Sequence, residues 1–128
     1  MPSSVDDIEQ LQAENDALVA RVNEEITLGI FEPTDQVLQQ LVDGLGDPRG
    51  LVRLRFAETL GEIGEVATPF LTKALANHAD VVLRRAAAKT LTIIADPAAI
   101  PTLLNSFLND EDTVVKGSSA GALARTGE

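Results

Sequence analysis

The sequence predicts an all-α solenoid: helical hairpins stacked in register, with a long helix ahead of them. Three observations carry the prediction. The stretch Val52-Arg53-Leu54-Arg55-Phe56-Ala57-Glu58-Thr59-Leu60-Gly61-Glu62-Ile63-Gly64-Glu65 returns in altered form over residues 83–96 and again over 115–128. Aligning Leu60, Leu91 and Leu123 gives steps of 31 and then 32 residues. A period of this length marks a unit that cannot bury its apolar face alone and therefore stacks on its neighbours. Within each unit apolar residues recur at helical spacing, and Gly, Pro, Asn and Asp cluster between the helical runs.

Residues 4–30 read as one helix. Ser3 or Ser4 can cap it, and Asp6 and Asp7 stand in its first turn, where the helix dipole favours negative charge. Ile8, Leu11, Asn15, Leu18 and Val22 alternate spacings of three and four, the rhythm of a paired-helix seam, for about two heptads. The pattern allows two roles. The helix can cap the first repeat, or residues 5–22 can form a homodimer seam. Gly29 to Asp35 breaks it: Pro33 disfavours helix at Glu32, and Thr34 or Asp35 can cap the next helix. The chain thus divides into an acidic helix over residues 1–32 and repeats over 33–128.

Each repeat is a helix A, a turn, a helix B and a linker. In the first, helix A spans about 35–45, with Val37, Leu38, Leu41, Val42 and Leu45 as its apolar stripe. The turn is Gly46-Asp47-Pro48-Arg49-Gly50. Helix B starts near Leu51, buries Val52, Phe56, Ala57, Leu60 and Ile63, and ends at Gly64 in a left-handed cap. The second has helix A near 69–76, with Phe70, Leu71, Ala74 and Leu75 inward and Pro69 in the first turn. Its turn is Asn77-His78-Ala79-Asp80 and its helix B spans about 81–95. In the third, Leu103, Leu104, Phe107 and Leu108 form the A stripe. Its turn is Asn109-Asp110-Glu111-Asp112-Thr113, and helix B covers about 114–124. The small residues of the B helices (Ala57, Ala86, Ala87, Ala88, Ala120, Gly121, Ala122) let repeats approach closely. The last match falls at a repeat boundary, so the array is expected to continue in a longer parent protein, or its open C-terminal repeat to self-associate.

Composition narrows the function classes. The 128 residues contain no Cys, which excludes disulfides, thiolate catalysis and cysteine ligation of a metal by this chain. There is no Trp or Tyr and there are four Phe, which suits stacked helices better than an aromatic ligand pocket. No apolar run is long enough to span a membrane, and the first residues lack the form of a secretory signal, so a cytoplasmic location is expected. The net charge is −10, with −7 concentrated in residues 1–32. Such a chain repels phosphate backbones, which argues against nucleic acid and for a basic protein surface, or simple solvation, at the acidic helix.

Few residues carry chemistry. His78 is the only histidine and has no evident nucleophile or orienting carboxylate, so it reads as a turn residue and no metal site is expected. Asp110-Glu111-Asp112 can attract a divalent cation, but it lacks the glycine and distal glutamate of a calcium loop and is explained by the helix after it. Arg53, Arg84 and Lys116 recur at the start of helix B and are expected to pair with Asp47, Asp80 and Asp112 in a ladder of turn-to-helix ion pairs linking repeats; the nearby carboxylates disfavour the alternative, an anion-binding stripe. Arg55, Glu58, Glu62, Arg85 and Lys89 lie on another face of the B helices. They are the candidate partner-binding residues, because that face lines the groove of a solenoid. No catalytic residue is assigned.

The motif Asp47-Pro48-x-x-x-Val52-Arg53, followed by Ala57-x-x-Leu60-Gly61-x-Ile63-Gly64, resembles HEAT-like repeats of the phycobilin (phycocyanobilin) lyase and phycobilisome degradation protein type from cyanobacteria. The linker Asp96-Pro97-Ala98-Ala99-Ile100-Pro101-Thr102-Leu103-Leu104 has the same family form. The likeness covers about residues 35–128, and the second unit departs from it, with Thr92 and Ala95 in place of Gly61 and Gly64. It implies a HEAT-like α-solenoid of about three helical-hairpin repeats preceded by a long N-terminal helix. It further implies a setting in phycobiliprotein or phycobilisome metabolism, with phycobiliprotein subunits as partners; the lack of Cys and of a nucleophile–base pair favours a non-catalytic protein-interaction scaffold there, with no cofactor unless the chain is lyase-like and handles bilin. Two alternatives come from the same resemblance. One is a bilin lyase component handling tetrapyrrole attachment, in which Arg55 and Arg85 would meet bilin propionates. The other is an accessory that binds an iron–sulfur assembly scaffold.

Overall fold

A computed structural model describes residues 4–127. Ser3 as a cap and Glu128 as the last residue of the third repeat lie outside the described residues. Among the described residues seven α-helices succeed one another: α1 (Val5–Leu28), α2 (Asp35–Asp43), α3 (Gly50–Ile63), α4 (Thr68–Asn77), α5 (Val81–Ile94), α6 (Ile100–Asn109) and α7 (Thr113–Thr126). Short 3-10 turns continue or introduce helix A of each repeat, at Gly44–Gly46, Glu65–Ala67 and Pro97–Ala99.

The helices form two layers. α2, α4 and α6 stack in one; α3, α5 and α7 stack in the other, with α1 against the free side of α3. The repeat register is visible in the core. Val52, Leu83 and Val115 are buried at one level, and Thr59, Thr90 and Ala122 at another, in steps of 31 and 32 residues. Phe56 gives way at its own level to Ala87 and Ser119, also buried. The repeat therefore keeps position and burial while side-chain volume varies, as close packing allows when neighbours compensate.

α1 begins at Ser4, whose Oγ accepts the Asp7 N–H at 3.1 Å. It ends at Gly29 in the left-handed region, with Ile30 N–H on Glu25 O and Gly29 N–H on Ile26 O, the paired bonds of a Schellman cap. Val19 and Val22 are fully buried against the first repeat, with Leu18 and Ile26 packed beside them. The N-terminal half of the seam, Val5, Ile8 and Leu11, stays exposed.

Four sequence expectations need correction. Helix A of the first repeat is α-helical only to Asp43, and Leu45 sits in a 3-10 turn. Gly64 has φ +86° and ψ −147°, a positive-φ conformation outside the left-handed helical well and nearly exclusive to glycine. The left-handed cap is instead at Ala95 (φ +56°, ψ +40°), the corresponding residue of the second repeat. Of the α6 stripe only Leu103 is buried; Leu104, Phe107 and Leu108 are exposed. Phe107 occupies the level of Leu45 and Leu75, which are buried beneath the helices of the next unit. Gly121 is exposed, and a Cβ there would meet nothing within 4 Å, so close packing does not explain it. The packing reason does hold at Gly61, where an added Cβ would stand 2.6 Å from Ile93 Cγ2.

Candidate functional site: the turn face and its clamps

The turns between helices A and B share one construction. In the first repeat, Asp47 Oδ1 accepts the Arg49 N–H at 2.8 Å. In the third, Asp110 Oδ1 accepts the Asp112 N–H at 2.9 Å. In the second, the same place holds His78, whose Nδ1 accepts the Asp80 N–H at 3.0 Å. The lone histidine thus substitutes for an aspartate as the acceptor that folds the turn. Helix B then reaches back to the turn. Arg53 Nη1 donates to Asp47 O at 2.7 Å, and Arg84 Nη1 to His78 O at 3.0 Å. The expected carboxylate pairs of Arg53 with Asp47 and Arg84 with Asp80 are therefore replaced by bonds to a turn carbonyl. Asp80 and Asp112 instead cap their helices through Val82 N–H and Val115 N–H.

Carboxylate pairs do link successive units, but through partners other than the expected ones. Arg84 Nε meets Asp110 at 3.2 Å, and Arg85 grips Asp112 with two bonds of 2.9 and 2.7 Å. α1 clamps the first turn at the same two levels, with a neutral donor at one and the charges reversed at the other. Asn15 donates to Asp47 at 3.0 Å, and Asp16 pairs with Arg49 at 3.0 Å. Burial alone would raise the Asp47 carboxyl. Donation from the Arg49 guanidinium, the Asn15 amide and the Arg49 backbone N–H overrides it and brings the group down to about 2. The Arg85 guanidinium, aided by the Val115 N–H, holds Asp112 well below the usual carboxylate range. Asp110 and Asp112 are accordingly engaged by arginines and by turn and helix N–H groups, and Glu111 between them is exposed. Among the described residues no group of three or more His, Asp or Glu side chains is placed to hold a metal ion.

The candidate partner-binding residues separate into three sets. Arg55, Glu58 and Glu62 come together around a hollow of about 330 Å³, shared with Asn23 and Thr27 of α1. The floor is tied by Thr59 Oγ1 donating to Asn23 Oδ1 at 2.9 Å. Arg85 does not project freely into a groove, because its guanidinium is held by Asp112. Lys89 is exposed at the level of Glu58, one repeat on. Sequence reasoning missed a larger cleft of about 470 Å³ on the turn face, between Ile8 and Leu11 of α1 and the turn residues His78 and Asp80, with Asp43 and Leu83 also lining it. The exposed half of the α1 seam was the available signal. A second hollow of similar size lies between α1 and α2, lined by Glu14, Leu18, Arg21 and Gln40. These are open surface clefts.

Among the described residues no helix is long and apolar enough to cross a membrane. Comparison with known proteins agrees with the architecture. Bilin biosynthesis protein MpeU of Synechococcus sp. (strain WH8020) is 48% identical over 83 residues, 64% of this chain and 28% of that protein. Deoxyhypusine hydroxylase of Phaeosphaeria nodorum is 36% identical over 85 residues, 65% of this chain and 26% of that protein. The Candida albicans deoxyhypusine hydroxylase is 35% identical over 92 residues, 70% of this chain and 29% of that protein. The chain thus spans little more than a quarter of the length of the curated relatives it matches. The HEAT repeats profile matches residues 37–124, from helix A of the first unit to helix B of the third, and the chain belongs to the HEAT-repeat family.

Proposed function

We propose that this chain is a protein-holding module of bilin metabolism, which binds phycobiliprotein subunits on its turn face and carries out no chemistry of its own. The observation that carries the setting is the 48% identity to a bilin biosynthesis protein. The geometry supports the holding role. Asp47, Arg49, Asp110 and Asp112 of the turns are engaged in turn bonds, caps and clamps, and the remaining features are open clefts with apolar and acidic walls. The same identity favours a second reading, in which the module belongs to a bilin lyase and positions the tetrapyrrole during attachment.

One experiment separates the two. Purified chain is mixed with apo-phycobiliprotein subunits and phycocyanobilin. Co-elution is followed by size-exclusion chromatography, and covalent bilin by zinc-enhanced fluorescence on denaturing gels. Co-elution with an unchanged attachment rate supports the holding module. An accelerated, correctly coloured attachment supports the lyase component. Absence of both effects sinks the bilin setting.

A further inference from the structure

The inter-repeat clamp is present at two junctions and missing at the one between them. Asp16 of α1 faces Arg49 of the first turn, and Arg85 of α5 faces Asp112 of the third. By repeat register the residue of α3 that should face Asp80 of the second turn is Leu54, which is about half exposed. Its neighbour Arg53 is held at 2.7 Å by Asp47 O, and the turn residue it would meet is His78 in place of an aspartate. Asp80 caps α5 through the Val82 N–H. It takes part in none of the ion pairs of the described residues. The uncompensated carboxylate lines the 470 Å³ cleft with Asp43, whose partner is the neutral Gln39 amide. Ile8 and Leu11 form the opposite wall, each a little under half exposed.

We propose that this cleft receives an amphipathic segment of a partner protein, carrying an arginine that supplies the cation missing opposite Asp80 and apolar residues that cover Ile8 and Leu11. Charge complementarity selects the occupant: two carboxylates without a cation beside an apolar wall, on a helix that is itself acidic. A guanidinium suits Asp80 because a carboxylate still accepting a backbone N–H keeps lone pairs for a forked donor. The inference rests on the reading of the chain as a protein-holding module, and adds the chemistry of what is held.

The test is a fluorescence-anisotropy titration of the whole chain with a labelled helical peptide of leucine and arginine. A matched peptide with glutamate for arginine serves as control. Asp80→Asn keeps the helix cap and removes the charge, and is expected to weaken the arginine peptide about five-fold, the size of one partly exposed ion pair. Leu11→Ser is expected to weaken it by a similar factor. Leu54→Arg restores the clamp within the chain. It is expected to raise the melting temperature and to weaken the peptide, and the rise should vanish in the Asp80→Asn background. Equal binding of the two peptides, or unchanged binding by Asp80→Asn and Leu54→Arg, overturns the proposal, as does failure of the arginine peptide to bind. The titration reads the cleft alone and co-elution with phycobiliprotein subunits reads the bilin setting alone, so either can fail without the other.

Discussion

Replacing Asp47 by Asn should loosen the joint between α1 and the first repeat by an amount that depends on pH. Asp47 is almost fully buried. It accepts from Arg49 N–H at 2.8 Å, Arg49 Nε at 3.0 Å, Arg49 Nη2 at 2.9 Å and Asn15 Nδ2 at 3.0 Å. Arg49 in turn holds Asp16 and the Gln12 carbonyl. The folded carboxyl titrates near 2 against an ordinary 3.8. That difference is worth about 2 kcal/mol of stability with the carboxylate ionised. Because the folded value lies below the unfolded one, the unfolded chain takes up the proton first as pH falls. The contribution is complete above about pH 5 and drains between roughly pH 4 and pH 2. Asparagine keeps the shape and the Asx acceptor and lacks this titration. The assay is urea unfolding of the wild type and Asp47→Asn at pH 6 and pH 2, followed by circular dichroism. Other acids titrate equally in both proteins, so the stability gap between them should shrink by about 2 kcal/mol on acidification. A gap that stays constant would refute the charged clamp as the tie between α1 and the repeats.

Backbone, packing and turn chemistry give five further outcomes. Ala95→Gly should stabilise the fold by about 0.5–1 kcal/mol, since alanine at φ +56° carries a left-handed penalty that glycine avoids; Gly64→Ala should destabilise by at least about 1 kcal/mol at φ +86°, and thermal melts check both. Gly44→Ala should cost about 1–3 kcal/mol by denaturant titration, because the new methyl would stand 2.6 Å from Phe56 Cδ1 in the buried core. His78→Asp should preserve stability, since Asp47 and Asp110 fold the equivalent turns, whereas His78→Ala should lose about 1 kcal/mol by leaving the Asp80 N–H without its acceptor, again read by denaturant titration.

Much of this architecture was legible in one dimension because a repeat writes the same physical demand several times. The steps of 31 and 32 residues located the B helices, and the buried levels of Val52, Leu83 and Val115 keep to those steps. The caps and the break at Gly29 were local, so neighbouring residues narrowed each cap to two adjacent candidates, of which Ser4 and Thr34 cap in the structure. The partners in the inter-repeat clamps were not legible. Arg85 lies 27 positions from Asp112, and Asn15 lies 32 from Asp47, so pairing them requires knowing how one unit sits on the next. Spacing pointed Arg53 and Arg84 at the carboxylates of their own turns, while packing aimed Arg53 at a turn carbonyl and divided Arg84 between turn carbonyls and Asp110 of the next unit.

The sequence by itself determined that the chain is helical, repetitive and acidic, because periodicity, turn chemistry and charge are properties of short stretches. Only the tertiary structure decided which charges are compensated. It made His78 a turn acceptor, committed Arg85 to Asp112, and left Asp80 beside an apolar cleft without a cation. The physical reason is that ion pairing depends on distances between units, and those are set by the volumes packed in the core. At the second junction Leu54 occupies the register position where the other junctions have an acid or an arginine, and that single difference distinguishes the candidate binding cleft from the clamps on either side.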